Sequence, residues 1–231
     1  MVKWKTPRPL ANRFEVDRRK LPNQLYASHV QVLNKFVEEI ANSRYANASV
    51  PWFDSAGGGV NARLLFLLQD PSDTALSGTG IISPDNPDKT ADNTTYYRNK
   101  ANLNPSEIVH WNVVPWQIGK RNKDEEVIKA IPFLLKLIEL LPKLEVVICM
   151  GVYATRGWNI AFPNNNCLRG WHKISKPVEL SLVAFSCPHP SDQSLKGKHP
   201  EIDGLNPEEM VEKTLENVQL LLNWNKIIRG V

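Results

Sequence analysis

Apolar positions change their period along the chain, and the changes mark out elements. From Gln24 to about Arg44, Leu25, Val30, Leu33, Val37 and Ile40 recur mostly at three- and four-residue steps, the spacing of an amphipathic helix. Pro51 to Gly59 reads as a loop ending in three glycines. Arg63 to Pro71 is a continuous apolar run stopped by a carboxylate and a proline. A strand of that kind is buried on both faces, the mark of a central parallel strand.

The alternation then repeats. The polar stretch from Ser72 to Ser106 holds a predicted helix around Asp92 to Ala101, followed by a short strand from Ile108 to Val114 closed by Pro115. Asp124 to Leu141 has a strong helical pattern with Pro132 as a kink. Leu144 to Gly151 reads as an apolar strand ending in glycine, followed by a short helical turn near Tyr153. A fourth strand, Leu180 to Ser186, runs into Cys187-Pro188-His189-Pro190-Ser191. Asn206 at the cap, Pro207 in the first turn and Glu208-Glu209 behind it open the last helix, whose stripe is Met210, Val211, Leu215, Val218 and Leu222. Helices alternating with apolar strands predict an α/β fold, a three-layer α/β/α sandwich around a mainly parallel sheet. One domain is expected over residues 23–231, preceded by a basic N-terminal extension over residues 1–22.

Composition narrows the class. Hydrophobic residues at 42% and charged residues at 23% of 231 are globular proportions and exclude a disordered chain. No apolar run approaches the roughly 20 residues of a bilayer span, and the first residues lack the apolar core of a secretory signal. The expectation is a cytoplasmic protein beginning near Met1. Cys149, Cys167 and Cys187 form no close pair; they suit buried thiols in a reducing compartment and are too few for a four-thiolate iron–sulfur cluster. The net charge of +4 is mild, but residues 1–20 carry seven Lys/Arg against two acids and leave the rest near neutral. Such a segment suits a polyanion, although a solvated tail is the commoner origin of such a run.

In an open parallel sheet, ligands bind outside the carboxyl ends of the strands. The residues at those ends are Gln69-Asp70-Pro71, Asn112 with Pro115, Gly151, and His189-Pro190-Ser191. Taken alone, Asp70 reads as a helix N-cap, and Asn112 as either a satisfied strand amide or one that reads a ligand. His189 between two prolines is held in a fixed pose in a loop short of backbone donors, which favours function. Other signals are weaker. Gly57–Gly59 precede a strand and lack the Gly-Lys-Ser/Thr ending of a phosphate loop. Ser77 lacks the flanking pattern of a serine-hydrolase elbow. His110, His172 and His199 have no metal-ligand spacing, and no cofactor is expected. His29, Trp52, Trp158 and Trp171 read as packing residues.

Taken in order, Gln69-Asp70-Pro71 after the first strand, Trp111-Asn112-Val113-Val114-Pro115-Trp116 in the second, the third strand ending at Gly151, and the His189-Pro190-Ser191 loop resemble the uracil-DNA glycosylase superfamily, in a bacterial branch without an iron–sulfur cluster. The resemblance covers roughly residues 60–200. It implies that Asp70 activates water and offsets positive charge on the sugar, that Asn112 bonds the Watson–Crick edge of the base, and that His189 donates to the pyrimidine O2. Gln69 and Ile81 would join base binding, Ile81 standing where the superfamily usually stacks a Phe. Ser191 and Lys196 would touch DNA phosphates, with Lys198, Arg169 and the basic segment as further sources. The chain has Leu68 where the usual glycine precedes the motif, Ser72 where one branch has a Tyr, and Gln193, with Leu195 beyond, where one branch wedges a Leu.

The function so implied is a monofunctional DNA glycosylase, a monomer hydrolysing the N-glycosidic bond of uracil or another deaminated base in single strands or from a base flipped out of duplex. A nucleic-acid-binding protein that keeps the pocket but not the catalysis is the alternative, and a hydrolase of free nucleosides a more distant one.

Overall fold

The computed structural model describes residues 8–43, 49–173, 182–197 and 201–229. Its strands are β1 (Trp52–Phe53), β2 (Leu64–Leu68), β3 (Ile81–Ile82), β4 (Ile108–Asn112), β5 (Val146–Met150), β6 (Leu168–Arg169) and β7 (Val183–Cys187). Its α-helices are α1 (Arg13–Arg19), α2 (Pro22–Leu25), α3 (Gln31–Ala41), α4 (Lys89–Lys100), α5 (Lys123–Glu139), α6 (Val152–Ala161), α7 (Asp192–Lys196) and α8 (Pro207–Arg229). Five strands form an all-parallel sheet in the order β4-β2-β5-β7-β6, and β1 and β3 make a separate parallel pair.

Side chains alternate across the sheet, as strand geometry requires. Leu65, Leu67, Val109, Trp111, Val147 and Cys149 pack on one face with residues of α3, α5 and α6. Leu64, Phe66, Ile108, Val146 and Ile148 pack on the other with residues of α4 and α8. Both faces are covered, which is why β2 and β5 read as unbroken apolar runs. The result is the expected three-layer sandwich. The connection from β2 to β4 passes through α4 on one face, and that from β4 to β5 through α5 on the other, crossing to the far side of β2. The carboxyl end of β2 is therefore a topological switch point, where such sheets open a crevice.

Helix ends follow the sequence signals. Asn122 accepts from the Asp124 N–H to cap α5, which runs on through Pro132. The Asn206 side chain accepts from the Glu209 N–H and the Glu209 carboxylate accepts from the Asn206 N–H, a reciprocal box at the start of α8.

Several expectations change. The helix expected from Gln24 to Arg44 is two: α2 ends at Leu25 and α3 begins at Gln31, and the connector is held by the buried Asn34 amide donating to the Leu25 carbonyl at 2.7 Å; Arg44 lies outside the described residues. The turn expected near Tyr153 is the ten-residue α6. It lies close on the chain leaving β4, because a Cβ at Gly157 would sit 2.2 Å from Val113 Cγ2. The strand expected from Leu180 is β7, with residues 180 and 181 outside the described ones.

Within the segment expected as an extension, Leu10 and Val16 pack against Ile81. Arg19, 6% exposed, pairs with Glu15, Asp54 and Asp85. Burial of an arginine at that depth needs such partners. Arg8, Arg13 and Arg18 are each paired with a carboxylate as well, and residues 1–7 lie outside the described ones. Among the described residues, no helix is long and apolar enough to cross a membrane.

Candidate active site

A cavity of about 620 Å³ opens at the switch point, and Gln69, Asp70, Asn112 and His189 all line it. The sheet register sets their spacing. Leu68 pairs with Asn112, and the ladder continues past both strand ends, with the Val113 N–H donating to the Leu68 carbonyl and the Val114 N–H to the Gln69 carbonyl. Asp70 is thereby fixed beside Asn112. It does not cap a helix: one carboxylate oxygen accepts from the Ile118 N–H at 3.1 Å and the other from the Gln69 amide at 2.6 Å.

Asn112 is 4% exposed, and among the described residues its side-chain amide makes no hydrogen bond. It opens on the cavity, where a ligand can satisfy it.

The His189 loop is clamped from two sides. The Asn93 amide, buried in α4, donates to the Pro190 carbonyl at 2.8 Å and to the Asp192 carboxylate at 2.9 Å. From the other side Gly151, whose N–H donates to the Cys187 carbonyl, stands where a Cβ would lie 3.1 Å from His189 Cβ. The Ser191 N–H donates to His189 Nδ1 at 3.2 Å. A ring nitrogen that accepts carries no proton, so the proton of the neutral ring sits on Nε2. Burial pushes the His189 pKa below its usual range; the Asp70 charge opposes that shift and Lys123 adds to it. The site holds a neutral imidazole N–H donor, a carboxylate and an open amide around one cavity.

The remaining expected residues fall differently. Ser191 lines the cavity, but its Oγ accepts from the Ser194 N–H at 3.3 Å and caps α7. Lys196 lines neither this cavity nor the adjoining one; it is exposed and pairs with Asp192 at 2.7 Å. Arg169 pairs with Asp203 at 3.2 Å, and Lys198 and His199 lie outside the described residues.

Ile81 does not reach the cavity. It packs with Leu10 and Val16, and its neighbour Ile82 lines the wall instead. Successive residues of an extended chain face opposite ways, and a two-residue strand carries too short a pattern to say which one faces in. Leu195 is buried under α8 rather than presented as a wedge, while Gln193 lines the adjoining groove of about 980 Å³, which shares Gln69, His189 and Ser191 with the cavity.

His110 also lines the cavity. The signal for it was the period of two in β4, which puts residue 110 on the face of residue 112. Burial pushes its pKa down to about 3, with the Arg98 charge adding to the effect. Among the described residues, no three His, Cys, Asp or Glu side chains are arranged to hold a metal ion. Burial pushes the Cys149 and Cys187 thiols up, which makes both poor nucleophiles.

No curated protein matches the sequence. The family model of the uracil DNA glycosylase superfamily matches residues 56–218, from the loop before β2 into α8. That span takes in every residue around the cavity, and the chain belongs to the uracil DNA glycosylase superfamily.

Proposed function

We propose that the protein is a monofunctional DNA glycosylase, acting as a monomer in the cytoplasm, that hydrolyses the N-glycosidic bond of uracil or another deaminated base. Superfamily membership supports a glycosylase. The observation that carries the finer reading is the convergence of Asp70, the unpartnered Asn112 amide and the Nε2–H of His189 on one cavity. Among the described residues lining that cavity none is a lysine, which supports hydrolysis over the imine chemistry of a strand-cleaving enzyme.

Breaking the bond dissociatively makes a cationic sugar and an anionic base. The His189 Nε2–H is aimed at the base oxygen that gains charge, and a fixed donor of that kind is worth about 3 kcal/mol, on the order of a hundredfold in rate. It stays neutral at pH 7, so it donates without first losing a proton to solvent. Asp70, held by the Ile118 N–H and the Gln69 amide, favours the sugar cation and steers water into it. Asn112 reads the polar edge of the base. In a duplex the base must first leave the stack, at a few kcal/mol.

An oligonucleotide with one uracil, treated with protein and then alkali, is expected to break at that site. Asp70→Asn and His189→Ala are each expected to slow release by about 100- to 10,000-fold. Full rates in both variants would discard the mechanism. A second reading, a binding protein that does not release the base, is favoured by one observation: among the described residues, no Phe, Tyr or Trp lines the cavity to stack on a base. It predicts salt-dependent DNA binding without release, and any free base in the reaction eliminates it.

A further inference from the structure

A second, smaller chamber of about 240 Å³ lies against β4, sharing Ile82, Ser83, Pro84 and His110 with the base cavity. Arg98 of α4 lines this chamber and not the base cavity, and it is 8% exposed. The other well-buried arginines are surrounded by carboxylates: Arg19 meets Glu15, Asp54 and Asp85, and Arg63 meets Glu107 and Glu145. Arg98 is different. Among the described residues its guanidinium bonds one acceptor, the Asn99 side-chain oxygen, at 3.1 Å from Nε and 2.9 Å from Nη2. A guanidinium stays charged even when buried, and a buried charge needs a partner.

The geometry says which edge is free. Asn99 occupies the fork of Nε and Nη2, so the fork of Nη1 and Nη2 keeps two parallel N–H donors, the arrangement that fits two oxygens of an oxyanion. Asp54 and Asp85 also line the chamber, and both bond Arg19. Asp85 does so through Oδ2 and leaves Oδ1 without a partner among the described residues. Its charge reaches Arg98 without contact, opposing the lowering of the arginine pKa by burial. A ligand for this chamber must therefore offer acceptors to the fork and a hydrogen-bond donor to a carboxylate. Phosphate at neutral pH carries both, because it keeps at least one O–H. Sulfate is fully ionised and carries acceptors alone. The volume suits a free ion and not a length of strand.

We infer that this chamber is a binding site for a protonated phosphate ion, held by the free fork of Arg98 and donating its O–H to Asp85. The site stands apart from the glycosylase reading and uses none of the residues assigned there.

The experiment is thermal denaturation of the full chain in rising inorganic phosphate, against sulfate and chloride at equal ionic strength, with wild type and Arg98→Met. Sulfate controls for the general stabilisation that such salts give any fold. At a concentration a hundred times the dissociation constant, phosphate is expected to raise the wild-type melting temperature by about 5–10 °C over sulfate, and Arg98→Met is expected to lose that difference. Equal shifts in phosphate and sulfate overturn the inference, and so does a phosphate shift retained in Arg98→Met. Should Arg98→Met not fold, arsenate soaked into wild-type crystals decides: anomalous density at the Arg98 fork supports the site, and a chamber without it overturns the inference.

Discussion

Gly151→Ala tests how the imidazole is positioned. Gly151 closes β5 with φ +95° and ψ 170°, a region essentially closed to any residue with a Cβ, where strain costs about 1–3 kcal/mol. For a domain of this size each kcal/mol lowers the melting temperature by about 2–4 °C, so the backbone part alone predicts a loss of roughly 2–12 °C. The second effect is specific. The new methyl would stand 3.1 Å from His189 Cβ, a few tenths of an ångström too close.

Gly151 is the less free of the two. Its N–H is bonded to Cys187 and its carbonyl accepts from the Thr155 N–H and hydroxyl, so the imidazole moves. A misplacement approaching 1 Å costs up to about a hundredfold, and we expect release to slow by about 10- to 100-fold with substrate affinity little changed. Gly204→Ala separates the two effects. Gly204 also has a positive φ, of 73°, but nothing lies within 4 Å of the point where its new methyl would stand, so it should lose stability and keep its rate. Thermal denaturation with single-turnover release measures both. A folded Gly151→Ala protein with the wild-type rate would refute the claim that this glycine sets the imidazole.

Asn93→Ala removes the donor to both Pro190 and Asp192 and should lower the release rate tenfold or more with about 1–3 kcal/mol of stability, read by kinetics and urea titration; a rate unchanged there would place the clamp elsewhere. Both His110 and His189 have folded pKa values pushed below the unfolded value near 6.5. Below pH 6.5 the unfolded chain therefore binds protons that the folded chain does not, so stability is full above that pH and falls as pH drops, for His110 down to about 3. Each imidazole contributes a slope of up to about 1.4 kcal/mol per pH unit, and urea titrations from pH 7 to 4 should show one proton fewer in His110→Leu. Ile81→Ala should cost about 2–5 kcal/mol with binding intact, because its contacts are Leu10 and Val16. Ile82→Ala should weaken binding to a uracil-bearing strand, and the reverse pattern would contradict the assignment of faces.

The legible parts of the fold were those in which one pattern decided the outcome. β2 and β5 are buried on both faces and show it as unbroken apolar runs, and Asn206 with Glu209 writes the start of α8 into four residues. β6 was not legible, because Leu168 and Arg169 are both exposed and only the pairing with β7 defines the strand. The length of α6 was hidden by Gly157, a helix-weakening residue in isolation that is required here by the approach of Val113. At the site, Asp70, Asn112 and His189 were found because strand ends in a parallel sheet face a common edge. Ile82 and the Asn93 clamp were not found. One needs the direction of a two-residue strand, and the other joins residues 97 apart in sequence.

Several buried polar groups outside the site are paired within the fold. Asn34 bonds Leu25 and Phe53, Glu126 bonds Trp116 and Lys129, and Glu145 bonds Arg63 and Asn225. Such networks are the ordinary state of a folded interior. Asn112 and His110 lie on one strand face, line one cavity, and make no side-chain hydrogen bond among the described residues. His110 Nε2 is sealed from solvent without a partner, which costs about 1–3 kcal/mol of a stability that totals only about 5–15 kcal/mol. Aliphatic residues of similar size would fill the same positions in an α/β sheet at no such cost. What offsets them is a partner that arrives from outside, and its polar atoms must match an amide and an imidazole one pleat apart along β4.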